Sequence, residues 1–168
     1  MESSDQYRRK FEIEVVRESL HFSAAHFTIF SSVSRENLHG HNFRVQAVIE
    51  AKVGEDGLVF DYSIIKDVLQ NHCDALDEKL LLPENSPYLE ITKSGGYVQV
   101  KFDHEVLPFL PRDVKILPVR NITVEELSEW FISQLQEDSA YKSLPIDRLS
   151  IRVASGSGQW GVSTIEHS

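Results

Sequence analysis

Cysteine occurs once in these 168 residues, at Cys73, which excludes an internal disulfide. No apolar run approaches the ~18 residues that a membrane-spanning helix needs. Met1 to Lys10 is polar and lacks the hydrophobic stretch of a signal peptide. These absences lead us to expect a soluble, cytoplasmic protein with no membrane partner. Basic residues are also few, 17 Lys and Arg against 26 Asp and Glu, giving a formal charge of −9 and a pI near 5.2. They are scattered, whereas a nucleic-acid surface needs them clustered, so no nucleic-acid partner is expected. Internal repeats and low-complexity segments are absent. What remains is 41% hydrophobic and 10% aromatic, enough to build a core, and the length suits one domain spanning residues 1–168. Cys73 falls within a helical pattern and reads as an inert, packed thiol.

The most informative positive feature is a set of three histidines. His26 ends the segment Phe22-Ser23-Ala24-Ala25-His26, and thirteen residues later comes Leu38-His39-Gly40-His41-Asn42-Phe43. His-Gly-His alone reads as a polar turn. On a strand, however, residues two apart share a face, and the run continues in the same parity through Phe43, Val45, Ala47 and Ile49. The two histidines therefore extend an apolar, inward face. With His26 they make three imidazoles around one ion, with a fourth position left open, the arrangement of a catalytic zinc site. Iron, nickel and copper share this ligand type.

Along the chain, Phe11, Ile13 and Val15 alternate with Glu12 and Glu14, a half-buried strand continuing toward Phe22. A second strand is expected from near His41 to about Val53. Asp61 is a candidate N-cap for a helix carrying Ile64, Ile65, Val68, Leu69, His72 and Leu76 at helical spacing, with His72 at its boundary. The proline-bearing stretch from Leu80 to Arg120 is poorly periodic, apart from a hairpin over Leu89 to Phe102 that turns at Ser94-Gly95-Gly96. Thr123 and Glu126 make a capping box for a second helix with the stripe Val124, Leu127, Phe131 and Leu135, ending near Glu137. Leu149, Ile151 and Val153 form a strand, and Gly156 and Gly158 turn the chain into Trp160 to Ile165. The order predicts an α+β fold: an antiparallel four-stranded sheet with two helices on one face and an inserted hairpin.

These motifs resemble those of the 6-pyruvoyl tetrahydropterin synthase and 6-carboxytetrahydropterin synthase family. The family shares an F-x-A-A-H-like strand end, L-H-G-H-N-[FY], and a G-x-[VI]-x-D-[FY] segment matched by Gly57-Leu58-Val59-Phe60-Asp61-Tyr62. Leu76-Asp77-Glu78 resembles its L-D-H, and Asn121-Ile122-Thr123-Val124-Glu125 its N-P-T-x-E. Order and approximate spacing hold from about Phe11 to about Val153. The resemblance implies the tunnelling fold (T-fold), in which sheets pair edge to edge into a trimeric barrel and two trimers stack as a hexamer. It also implies Zn2+ on His26, His39 and His41, a pterin-like substrate, and substrate contacts from Thr123, Glu125 and Ser155.

Three positions depart from the usual family pattern. The cysteine base four residues before the first histidine of His-Gly-His is here Arg35, but Glu36 follows it. A glutamate-bearing subset of the family, from malaria parasites and some bacteria, is similar in its R-E-T-L-H-G-H-N segment, where the glutamate replaces the cysteine. Partial burial would raise the pKa of Glu36 toward neutrality, where a general base is most effective, and a metal's charge would oppose that rise. Asp77 is kept, whereas the relay histidine after it is Glu78. The pterin-gripping glutamate after the penultimate strand is here Ser155, and one hydroxyl cannot replace two charge-assisted acceptors. The resemblance thus implies a zinc-dependent lyase with Glu36, Asp77 and Glu78 as catalytic residues. Its substrate would be 7,8-dihydroneopterin triphosphate and its product 6-hydroxymethyl-dihydropterin, 6-pyruvoyl tetrahydropterin, or both. The alternatives are a 6-carboxytetrahydropterin synthase of 7-deazapurine synthesis, or a zinc-binding paralogue without pterin chemistry.

Overall fold

Residues 11–167 are described by a computed structural model; the polar segment Met1 to Lys10 lies outside them. The opening alternation becomes two strands, β1 (Phe11–Val15) and β2 (His21–His26), followed by a short hairpin of β3 (Ile29–Ser31) and β4 (Ser34–Arg35), and then the long strand β5 (His39–Ala51). Both β1 and β2 lie end to end along one edge of β5. Val15 pairs with Ala47 and His21 with Arg44, so residues 16–20 on one side face only residues 45–46 on the other. This surplus of three residues reverses the side-chain parity. An unbroken strand would turn Phe22 to the face opposite Val15, but here Val15, Phe22, Ala24 and His26 are all buried. The expected continuous first strand is thus interrupted, and the interruption brings His26 to the inner face.

Downstream come α1 (Ser63–Leu76), β6 (Lys79–Pro83), and a three-stranded antiparallel sheet of β7 (Leu89–Ser94), β8 (Tyr97–Phe102) and β9 (Glu105–Phe109). The chain ends with β10 (Val114–Leu117), α2 (Val124–Glu137), the short α3 (Ser139–Lys142), β11 (Ile146–Ala154) and β12 (Gly161–Glu166). The antiparallel framework runs from β1 and β2 through β5 and β11 to β12, the expected four-stranded core. Two strands extend it in parallel at the β2 edge, β6 and then β10. They come from the poorly periodic stretch for a physical reason. Leu81 packs into the main core while Leu80 and Leu82 pack into a second cluster under the three-stranded sheet. A strand buried on both faces reads as an unbroken apolar run rather than an alternation.

Both helices cover the inner face. In α1, Ile65, Leu69, Cys73 and Leu76 are buried at helical spacing, and in α2 Leu127, Phe131 and Leu135 form the stripe. They meet Phe22, Phe43, Val45, Ala47 and Ile49 in one cluster. His72 lies inside α1, with its ring edge-on to Trp130. Asp61 stands just outside the helix and accepts the Ser63 N–H at 2.8 Å, one residue earlier than a standard N-cap. Thr123 does cap α2, its Oγ1 accepting the Glu126 N–H at 3.3 Å. The box is not closed, because the Glu126 carboxylate turns to Arg120 and accepts its backbone N–H and guanidinium. The hairpin turns on Gly95 and Gly96 at φ 61° and 82°, where two consecutive positive angles favour glycine. No helix among the described residues is long and apolar enough to cross a membrane.

Candidate metal centre

His26 and His39 are cross-strand partners where β2 and β5 meet, and His41 lies opposite Ala24. Beyond them the same face continues with the stacked pair Phe22 and Phe43, ring centroids 4.9 Å apart. One potential ligand atom from each histidine lies within 4.8 Å of the other two. The Nδ1 atoms of His26 and His39 sit 3.0 and 2.8 Å from the carbonyl oxygens of Ile122 and Asn37. A carbonyl only accepts, so each Nδ1 carries the proton and each Nε2 presents its lone pair.

This donor set fits a metal ion. His26 Nε2 is buried with no hydrogen-bond partner among the described residues, a costly state for an isolated polar atom. His39 Nε2 and His41 Nε2 are 3.0 Å apart. Two imidazoles sharing a tetrahedral ion at bonds of 2.0–2.1 Å would hold their nitrogens roughly 3.3 Å apart. Burial, followed by the neighbouring His39, pushes the His26 pKa down to about 4, so the ring is neutral at physiological pH, as a ligand must be. Backbone carbonyls that fix the tautomer are the usual second layer of such a site.

Glu36 follows β4 and is tied twice to Thr28. Its N–H donates to the Thr28 carbonyl at 2.8 Å, and its Oε2 accepts the Thr28 N–H at 2.9 Å. The same oxygen lies 3.8 Å from His39 Nε2. The expected rise in its pKa is not found. Burial pushes it up, but the hydrogen bonds from Thr28, together with the attraction of His39 and His26 at the acidic pH where these rings carry a proton, outweigh that, and the carboxyl is held below its ordinary range. Glu36 is therefore ionised at neutral pH.

The remaining candidates lie around this centre. Asp77 ends α1 and its Oδ1 accepts the Ser23 N–H at 2.7 Å, while Glu78, at φ 56°, donates its N–H to the Ser23 carbonyl at 2.8 Å. The pair clamps the outer edge of β2 where β6 begins to pair. Neither carboxylate is hydrogen-bonded to Glu36 or to a histidine of the triad. Glu78 and His41 do line one cavity of about 500 Å³. Its wall also includes Ser23, Ala25, Gly40 and Asn42, which belong to the face opposite the histidines. Thr123 is engaged as the N-cap of α2, Glu125 is exposed on the first turn, and Ser155 is half-buried just past β11. Gly161 pairs with Val153 and leaves no room for a Cβ against the backbone of Val124 and Glu125, so the start of α2 lies close to the end of β11. Cys73 is buried and its thiol is pushed up to about 12 by that burial.

Three contributors were not visible in the sequence, and a fourth was visible without being assigned a role. The carbonyls of Ile122 and Asn37 orient two histidines, the Thr28 backbone holds Glu36, and Asn121 ties the approach to α2 onto Ile29 through its side-chain amide. Asn121 opened a quoted motif and so carried a signal, but backbone atoms carry none.

Residues 14–160 match the family model described as 6-pyruvoyl tetrahydropterin synthase. The chain is 28% identical over 127 residues to a protein of Methanocaldococcus jannaschii assigned as a 6-carboxy-5,6,7,8-tetrahydropterin synthase, covering 75% of this chain and 77% of that protein. Among solved structures, 6-pyruvoyl tetrahydropterin synthase of Plasmodium falciparum is similar at 30% identity with a TM-score of 0.86, over 94% of this chain and 99% of that one. The enzyme of Plasmodium vivax is similar at 27% identity and a TM-score of 0.87, over 95% and 99%. Variants of the latter carry Ala or Cys in place of a glutamate described as a catalytic residue. The tunnelling fold follows from these similarities.

Proposed function

The chain belongs to the 6-pyruvoyl tetrahydropterin synthase family, and from that premise we propose that it is a zinc-dependent lyase acting on 7,8-dihydroneopterin triphosphate. The products are 6-hydroxymethyl-dihydropterin, 6-pyruvoyl tetrahydropterin, or both. The observation that carries this reading is the Glu36 carboxylate held beside His39 by the two bonds to Thr28. The catalytic glutamate attributed to the Plasmodium vivax enzyme supports it.

His26, His39 and His41 hold the zinc ion through Nε2, and when bound it supplies Lewis-acid polarisation of the substrate's side-chain oxygens. Glu36 is the base. Being ionised, it accepts a proton from the substrate side chain and later returns it to the product. The Thr28 N–H keeps its carboxylate in place, so little reorganisation is needed at the moment of transfer. Glu78 faces the cavity it shares with His41 and can accept or relay a proton there, while Asp77 fixes that turn against Ser23. Thr123, Glu125 and Ser155 are the pterin contacts, with Glu125 the one carboxylate among them able to accept from the pyrimidine edge. The active species is a cytoplasmic homo-oligomer, trimer or hexamer, in which neighbouring sheets cover the open β12 edge. Light scattering that found a stable monomer at micromolar concentration would overturn the assembly.

The assignments of the archaeal relatives favour a second reading, synthesis of 6-carboxytetrahydropterin. A third, a zinc-binding paralogue without pterin chemistry, is favoured by Glu78 and Ser155, where the resembling family has a histidine and a glutamate. One experiment separates all three. The zinc-loaded protein is incubated with 7,8-dihydroneopterin triphosphate, and the pterin products are resolved by chromatography. The hydroxymethyl or pyruvoyl product supports the proposal, the carboxy product supports the second reading, and no conversion supports the third.

A further inference from the structure

Arg35 has no role in the proposed chemistry, yet its guanidinium is more completely engaged than any other near the site. Its side chain is only 14% exposed. The group lies over the rings of Phe27 and Phe102, at 5.0 and 5.6 Å from their centroids. All three nitrogens donate: Nη1 to the Glu36 carbonyl at 2.9 Å, and Nε and Nη2 to one oxygen of Glu105. Phe102 and Glu105 belong to the three-stranded sheet, whereas Phe27 and Glu36 belong to the segment that carries the base. Phe27 and Phe102 also share the second hydrophobic cluster.

An exposed Arg–Glu pair contributes little by itself. This one differs because the guanidinium is desolvated between two aromatic faces and its fork reaches across two structural units, a task suited to Arg rather than Lys. Its anchor point matters as well. The Glu36 carbonyl is one peptide away from the Asn37 carbonyl that orients His39. Without Arg35, the Thr28 bonds alone would have to hold the loop between β4 and β5.

We infer that Arg35 is a positioning residue: bonded to the Glu36 carbonyl, seated between Phe27 and Phe102 and braced by Glu105, it holds the Glu36 carboxylate against His39. The three-stranded sheet is then the prop of the base and not a mere elaboration. The inference rests on the reading of Glu36 as the base, so its test has one readout that does not need turnover.

That readout is hydrogen–deuterium exchange of wild type, Arg35→Ala and Glu105→Gln. Exchange over residues 28–38 rises in both variants, while α1 and β11 are unchanged. In steady-state kinetics, Arg35→Ala lowers kcat by about 10–100-fold, the scale of a misplaced catalytic group, with KM altered less than about twofold. Arg35→Lys gives no rescue, because an ammonium cannot reproduce the fork. In a Glu36→Gln background, adding Arg35→Ala lowers kcat by less than about twofold, since two residues acting through one carboxylate are not additive. Unchanged exchange over residues 28–38, full activity in Arg35→Lys, or an undiminished kcat loss in the Glu36→Gln background would each overturn the inference. Should Arg35→Ala not fold, Glu105→Gln carries the same comparisons, because its carboxylate is 57% exposed. A wild type that converts no pterin removes the role of Glu36 in catalysis, and exchange over residues 28–38 then decides the bracing alone.

Discussion

Thr28 and Glu36 hold each other by two hydrogen bonds, backbone to backbone at 2.8 Å and backbone to carboxylate at 2.9 Å. A carboxylate that accepts a fixed N–H is stabilised in its charged form. This bond and the nearby histidines are why Glu36 stays ionised despite being partly buried.

Replacing Glu36 by Gln keeps the shape and removes the base. Turnover of 7,8-dihydroneopterin triphosphate is expected to fall by roughly 10²–10⁴, the loss typical of general-base removal. Zinc content and melting temperature should stay near those of the wild type, because Glu36 is not a ligand in the proposed site. Equal rates in the two proteins would remove it from the mechanism.

Metal analysis after gel filtration should find about one zinc per chain, as three protein ligands imply. His39→Ala and His41→Ala should each lose most of it. Adding zinc to chelator-treated protein should raise the melting temperature of the wild type by ligand linkage and leave that of His39→Ala almost unmoved. Full zinc retention by both alanine variants would refute the triad.

A methyl group at Gly161 would meet the carbonyl carbon and oxygen of Val124 at 2.5 Å and the Glu125 nitrogen at 2.7 Å. These are backbone atoms of the first turn of α2 and cannot swing aside. Gly161→Ala should therefore cost about 1–3 kcal/mol, as overpacking does, visible as a lower midpoint in urea. An unaltered midpoint would mean that α2 is free to shift on β12.

Glu126 gives the clearest dependence on pH. Burial raises its pKa, but the side-chain and backbone hydrogen bonds from Arg120 lower it more, so its folded value lies below the ordinary 4.5. The unfolded state then binds the proton more readily, and the contribution is fully present above pH 4.5 and lost as pH falls through the folded value. Thermal melts over about pH 3 to 7 should show a shallower acid slope in Glu126→Gln than in the wild type. Parallel slopes would show that the bond to Arg120 adds nothing to stability.

Much of this was legible in the sequence wherever a local period carries the information. The meeting of His39 and His41 on one inner face follows from strand parity, α2 from its apolar stripe and Thr123, and the β7–β8 turn from Gly95-Gly96. What the tertiary structure decided is everything that depends on which backbone lies alongside. The surplus residues between Val15 and His21 turn His26 inward, and nothing in Phe11 to His26 marks where a strand will break until β5 is present as its partner. Strand β6 was hidden because packing on both faces erases the alternation by which a strand is recognised. The direction of the Glu36 pKa shift came out opposite to the sequence expectation for the same reason. Burial is a property of the residue's apolar neighbourhood, but the outcome was set by the hydrogen bonds from Thr28 and by the nearby His39 and His26, and a backbone donor looks alike at every non-proline position until the fold points it at a carboxylate.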